Sequence, residues 1–223
     1  MVSSIRVNEV FETIQGEAAF TGSPSVFLRL QGCPVGCGWC DTKHTWHTLP
    51  EDQVSQSEII AKTDDSPHYY VSDAKSIAEM VANNYQAKHV VITGGEPCMI
   101  NLTGLTTELL ARGLRVQIET SGTFEIKVHP DAWVTLSPKI DMPGGLTVLA
   151  SSYERANEIK YPVGNERDIA VVVEQVVQHV RPNKLLWLQP LSQSKKATDL
   201  CIAAATQLDA RVSIQTHKFI GIR

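Results

Sequence analysis

The chain has 223 residues, a net charge of −4 and a sequence pI near 6.0, with 43% hydrophobic and 20% charged residues. That balance fits one soluble globular domain over residues 1–223 and shows no basic stripe of the kind nucleic acid requires. No run approaches the ~18 apolar residues of a membrane span, and the opening MVSSIRVNEVFETIQGE lacks the apolar stretch of a secretory signal, so a cytoplasmic protein is expected.

Short β-branched runs predict strands at 25–30, 89–93, 115–120, 133–136, 157–160, 184–188 and 211–215. Amphipathic helices are predicted between them. Residues 72–85 place Ile77, Met80, Val81 and Tyr85 on one face, with Ser72 or Asp73 as N-cap. Residues 103–112 carry Leu105, Leu109 and Leu110 and stop at Gly113; 168–179 and 195–208 read similarly. Strand–helix alternation argues for an α/β fold with a mainly parallel sheet of six to seven strands, open or closed into a barrel. Polar and glycine-rich clusters follow the strands directly: 32–40, 94–97, 121–122, 137–139, 189–190 and 216–218. Parallel α/β sheets place their ligand sites at the C-terminal strand ends, which makes that face the active one.

Five cysteines without a secretory signal do not suggest a disulfide framework. Three of them, Cys33, Cys37 and Cys40, share a loop with Gly36 and Gly38, where glycine lets the backbone wrap closely around a small centre. Three thiolates on a [4Fe–4S] cube leave one iron open to substrate or cofactor. A structural zinc is the alternative for the loop taken alone, and it would need Asp41, His44 or His47 as fourth ligand. Cys98 and Cys201 have no spacing partners; Cys201 lies in an apolar helical pattern and reads as core.

Cysteines spaced x3 then x2 after the first predicted strand, with Gly94-Gly95-Glu96-Pro97 after the second, resemble the paired signatures of the radical S-adenosylmethionine (SAM) superfamily. Within it, NEVFETIQGE, FLRLQGCPVGCGWCDTKHTW, HVVITGGEPC, IETSGT, SPK, ERANEIKYPVG and IQTHK resemble the 7-carboxy-7-deazaguanine synthase family, in its enterobacterial type, over nearly the whole chain. The resemblance implies an incomplete TIM-barrel-like fold, a homodimer, a [4Fe–4S] cluster, SAM and Mg2+, and a flavodoxin- or ferredoxin-type reductant. It implies a lyase step of queuosine and other 7-deazapurine biosynthesis: 6-carboxy-5,6,7,8-tetrahydropterin becomes 7-carboxy-7-deazaguanine with loss of ammonia, after a 5′-deoxyadenosyl radical takes hydrogen from C6.

Residue by residue, the resemblance places Ile14, Gln15 and Gly16, Arg29, Thr93, Glu119 and His217 at the pterin. It places Gly95, Glu96, Ser137, Pro138, Lys139 and Gln189 at SAM, and Thr42 at Mg2+. Other readings stay open. Gln15-Gly16 serves a turn, Ser137-Pro138 ends a strand, and Arg29 in an apolar strand takes either a substrate carboxylate or an internal Asp or Glu. Glu119 could pair with Lys or Arg, and a lone His217 could be structural. A glycyl-radical activase is the rival enzyme class, and a zinc-binding interaction module the rival non-enzyme. Residues 62–70 suggest no role.

Overall fold

The computed structural model describes residues 4–180 and 184–222. Among the described residues nine strands form one sheet in the order β3-β1-β2-β4-β5-β6-β7-β8-β9. These are β1 (Ile5–Ile14), β2 (Pro24–Leu30), β3 (Tyr70–Ser72), β4 (His89–Gly94), β5 (Arg115–Thr120), β6 (Trp133–Leu136), β7 (Glu158–Val163), β8 (Leu185–Pro190) and β9 (Arg211–Val212). From β2 to β9 every pairing is parallel; β1 runs antiparallel to both β2 and β3. The helices are α1 (Gln56–Ile60), α2 (Ala74–Asn84), α3 (Thr103–Ala111), α4 (Ala150–Arg155), α5 (Glu166–Val171), α6 (Lys195–Leu208) and α7 (Thr216–Ile220). The mixed α/β sheet is that of a partial TIM barrel.

The strand count exceeds the expected six to seven. In β1, Arg6, Asn8, Glu9 and Glu12 break the apolar pattern, yet Asn8 and Glu9 are buried because each has a partner inside: Asn8 donates to Gln31 and Glu9 accepts from Arg29. β3 has three residues, too few for a pattern, and lies just past a loop pinned by Lys62. The Lys62 ammonium donates to the Asn8 side chain and to the carbonyls of Asn8, Ser66 and His68.

β5 and β6 have their expected bounds. β7 continues past Lys160 through Pro162; β6 pairs only as far as Ile159, so the proline's missing N–H faces no strand on that side. β9 ends at Val212 rather than 215, and Gln215 becomes the residue before α7. α2 is capped by Asp73, whose side chain accepts from Ser76 N, because Ser72 belongs to β3. α6 runs as expected, with Ser194 as cap and Cys201 in the core. The stretch expected as one helix over 168–179 starts earlier, at the Asn165–Asp168 capping box, and loosens into a π turn over 172–176. Its valine run is β-branched and stiff, a poor filler of helical turns.

Outward-facing Val90, Ile92, Val116, Ile118, Val134 and Leu136 share one apolar core with Ile77 and Val81 of α2 and Leu105 and Leu109 of α3. The inward face is polar. His89, Gln117, Thr135 and Glu158 are all 0% exposed, where an ordinary barrel interior carries branched apolar residues.

Candidate active site

The parallel register sets Arg29 beside Thr93 and Glu119 beside Thr135, so the last inward residues of successive strands face one space. That space is a cavity of about 490 Å3. Every residue expected at the site lines it except Gly16 and Pro138. Pro138 is buried in the turn that separates Ser137 from Lys139. Gly16 acts from behind: a Cβ there would lie 2.2 Å from His217 Nδ1, and its carbonyl accepts from Thr216 N at 3.0 Å.

The cysteine loop is anchored at both ends. Gly32 N donates to Thr45 O and Cys33 N to Trp46 O, while Gly36 takes a left-handed φ of 74°. Trp46 Nε1 donates to Cys40 Sγ at 3.4 Å, and Thr42 Oγ1 lies 3.6 Å from that sulfur. Among the described residues no three His, Cys, Asp or Glu side chains gather as a ligand set for a single metal ion. A zinc site would require such a set; the separate corners of a cubane do not. Cys98 and Cys201 are buried, at 4% and 0% exposure, and neither lines the cavity.

The two motif loops touch through glycine. A Cβ on Gly94 would meet Leu30 O at 2.4 Å and one on Gly95 would meet Gly32 O at 2.0 Å. The N–H groups of Gly95 and Glu96 are spent on those same two carbonyls. What this backbone can still offer a ligand is therefore carbonyl oxygen, which suits an ammonium group. The Glu96 carboxylate is a brace: Oε1 accepts from Thr120 Oγ1 at 2.6 Å and Cys98 N at 2.9 Å, and Oε2 from Ser121 N at 2.7 Å. Lys139 donates to Ser137 through the carbonyl and hydroxyl, and burial pulls its pKa down.

The opposite wall carries charges that sequence reasoning missed. Lys160, 7% exposed, donates to Glu17 at 2.5 Å and to Glu119 at 2.8 Å. Burial pushes Glu17 upward, but the Lys160 charge and hydrogen bonds from Lys160 and Gln215 outweigh it, leaving a pKa of about 2. At Glu119 burial wins, and with the like charges of Glu17 and Glu158 it raises the carboxyl to about 7 despite Lys160. The Glu119 alternative of a basic partner is thus realised while the residue still lines the cavity. Arg29 likewise takes its internal partner, Nε to Glu9 at 2.5 Å, and faces the cavity as well. Phe11 and Phe27 stack at 5.4 Å to form an apolar side. The available signal was Lys160 itself, a cation inside a strand that reads as buried.

Below the cavity, the amide of Gln117 links Gln15, Glu119, His89 and Thr135. Glu158 takes four donors there: Trp133 Nε1 and Thr135 Oγ1 on one oxygen, Trp187 Nε1 and Ala19 N on the other.

A three-cysteine loop joined through glycine to a Gly-Gly-Glu-Pro turn, at the C-terminal strand ends of a partial barrel, defines a radical SAM enzyme. The family model described as Radical SAM superfamily matches residues 28–134. Enzymes of this class carry a [4Fe–4S] cluster and SAM, and the three thiols and the acceptor-rich turn fit both. More particularly, the chain belongs to the 7-carboxy-7-deazaguanine synthase family. It is 48% identical to the 7-carboxy-7-deazaguanine synthase of Escherichia coli (strain K12), over 97% of this chain and 98% of that protein. Identity to the synthase of Buchnera aphidicola subsp. Schizaphis graminum is 44%, and to that of Synechocystis sp. 34%. The crystal structure of QueE from Escherichia coli superposes with a TM-score of 0.91 at 47% identity, covering 95% of this chain and 93% of that one.

Proposed function

We propose that the cavity holds SAM against the cysteine loop and a carboxytetrahydropterin against the Glu119 wall, and that the chain forms 7-carboxy-7-deazaguanine from it with loss of ammonia. The observation that carries this reading is the presence of two unlike ligand surfaces in one cavity of about 490 Å3. One is a thiol loop and the other a carboxylate–amide wall. Cys33, Cys37 and Cys40 would hold the cluster, which with SAM supplies the carbon radical that removes hydrogen from the substrate. Gly95 with Glu96, Ser137, Pro138, Lys139 and Gln189 would position SAM, the lysine meeting its carboxylate. Ile14, Gln15, Gly16, Thr93, Glu119 and His217 would hold the pterin, with the Glu119 carboxylate accepting from the donor edge of an aminopyrimidinone ring. Arg29 would meet the substrate's carboxylate. The reaction is redox-neutral, so the wall's remaining task is to orient the ring and keep water away. One domain, a cytoplasmic location, a flavodoxin- or ferredoxin-type donor and a homodimer complete the reading.

The test is an anaerobic assay with SAM, dithionite and carboxytetrahydropterin, read by mass spectrometry. The deazaguanine product without any protein substrate is expected; a glycyl-radical product on a protein instead would overturn the reading. In the same assay kcat/KM for the pterin should rise with pH through about 7, because deprotonation of Glu119 creates the acceptor. Glu119→Gln should flatten that limb; a Gln variant with the wild-type profile would assign the titration elsewhere.

Thr42 is proposed as the Mg2+ ligand. One hydroxyl is a poor site alone, so substrate oxygens and water must fill most of an octahedral shell. Thr42→Ser should keep Mg2+ stimulation, whereas Thr42→Val should lose most of it while retaining bound iron. If the Val variant responds to Mg2+ as wild type does, the neighbouring Asp41 becomes the candidate.

A further inference from the structure

We propose that Gln117 is a positioning residue for the pterin: a buried chain from Glu158 through Thr135 to Gln117 sets which hydrogen-bonding atoms Gln15 and Glu119 present to the ring. The inference rests on the reading that Gln15 and Glu119 touch the pterin.

The direction of every bond in the chain follows from the chemistry of its members. Two partners of Glu158 are indole N–H groups and a third is a backbone N–H, all donor-only. Thr135 has one hydroxyl proton, and it goes to Glu158 Oε1 at 2.7 Å. The Thr135 oxygen must then accept from its other neighbour, which is Gln117 Nε2 at 2.9 Å. That fixes the Gln117 amide. Its second N–H reaches Glu119 Oε1 at 3.1 Å, and its oxygen is turned toward Gln15 Nε2 at 3.2 Å and His89 Nε2 at 2.9 Å. His89 serves as the donor in that last bond, since its Nδ1 has no partner and burial holds its pKa down. Gln15, with its nitrogen held by Gln117, places its oxygen where Glu17 N donates to it at 3.1 Å.

Flipping the Gln117 amide would put NH2 groups against each other at Gln15 and two acceptors against each other at Glu119. Such mismatches inside a site from which water is excluded are costly. Gln117 and Thr135 are 0% exposed and do not line the cavity, so their effect must travel through the residues that do.

The experiment compares holoenzyme variants that retain iron, reading pterin KM, SAM affinity and the pH profile. Gln117→Glu is isosteric and replaces the donor facing Glu119 with an acceptor. Near neutral pH it should raise pterin KM roughly ten- to hundredfold, the effect of one or two mis-set buried hydrogen bonds, with SAM affinity within about twofold of wild type. Glu119 on β5, Glu158 and Lys160 on β7, His89 on β4 and Glu17 beyond β1 surround the new carboxyl. Next to Glu119 it should take up a proton as pH falls and recover the lost donor. Pterin KM should therefore improve as pH falls until the two carboxyls share one proton and worsen again once both are protonated, an optimum in place of the single rising limb of wild type.

Thr135→Val breaks the chain one step earlier at nearly constant volume and should also raise pterin KM, and Thr135→Ser should restore most of it. These two decide the matter if Gln117→Glu does not retain its cluster. Gln15→Ala and Glu119→Gln separate the two readings. If both raise pterin KM while Gln117→Glu and Thr135→Val stay near wild type in KM and pH profile, the positioning role is wrong. If Gln15→Ala and Glu119→Gln leave pterin KM unchanged, the pterin wall itself is misassigned and the positioning role falls with it.

Discussion

Replacing any one of Cys33, Cys37 or Cys40 with Ala is expected to abolish reductive cleavage of SAM and remove most of the bound iron. A [4Fe–4S] centre in this class has three protein ligands and no spare. The nearest other thiols cannot substitute. Cys98 is buried beside Glu96, and Cys201 is inside α6, fully buried in the core. The decisive comparison is Cys201→Ala, made in parallel under anaerobic conditions, which should keep iron near four per chain, the stoichiometry of one such cluster. Loss of the cluster in that variant, or full SAM cleavage in Cys37→Ala, would overturn the ligand set.

Lys160→Met is the second substitution with a large expected effect. It leaves Glu17 and Glu119, with side chains 17% and 15% exposed, without their shared cation. Removing one partner of a buried ionic group costs about 3–5 kcal/mol, and the shift in urea midpoint of the anaerobic holoenzyme measures it. The pH dependence has a definite sign. Glu17 has its pKa lowered from 4.5 to about 2, so its pairing adds stability above pH 4.5 that is lost as pH falls toward 2. The deficit of the Met variant should accordingly shrink on acidification, because both carboxyls can then be buried neutral. A deficit below about 1 kcal/mol at neutral pH, the range of an exposed pair, would mean that Glu17 and Glu119 find other partners. Turnover of the pterin should fall with stability, since the same cation holds the Glu119 wall in place.

The sequence was most legible where a residue's partners are close in the chain or where one face is uniformly apolar. α6 carries its cap, Ser194, next to its first turn, and β5 and β6 keep their apolar outward faces. The cysteine loop was legible because its three thiols lie within a few residues of each other. β1 was not, because its buried polar residues make sense only beside Gln31 and Arg29 on another strand. The charged wall was invisible for the same reason: Lys160 and Glu17 are 143 residues apart, so neither residue alone announces an ion pair. Arg29 and Glu119 were each open between an internal partner and a ligand. The fold gives both an internal partner and a place on the cavity, an outcome that spacing cannot express.

The two halves of the cavity differ in how far apart in the chain their contacts lie. The thiol loop and the Gly-Gly-Glu-Pro turn are tied to each other by Gly95 N to Leu30 O and Glu96 N to Gly32 O, 65 and 64 residues apart, and the turn is tied to Thr120 and Ser121 by the Glu96 braces, 24 and 25 residues apart. Gln215 to Glu17 spans 198 residues and Thr216 to Gly16 spans 200. Closing such distant contacts carries the larger entropic cost and comes late in folding. A chain emerging from the ribosome therefore has the cysteine loop and the Gly-Gly-Glu-Pro turn together well before Gln215 and Thr216 seal the Glu119 wall. In the finished protein the same asymmetry makes the α7 segment the place where local opening would release the Glu119 side first and leave the cysteine-loop side standing.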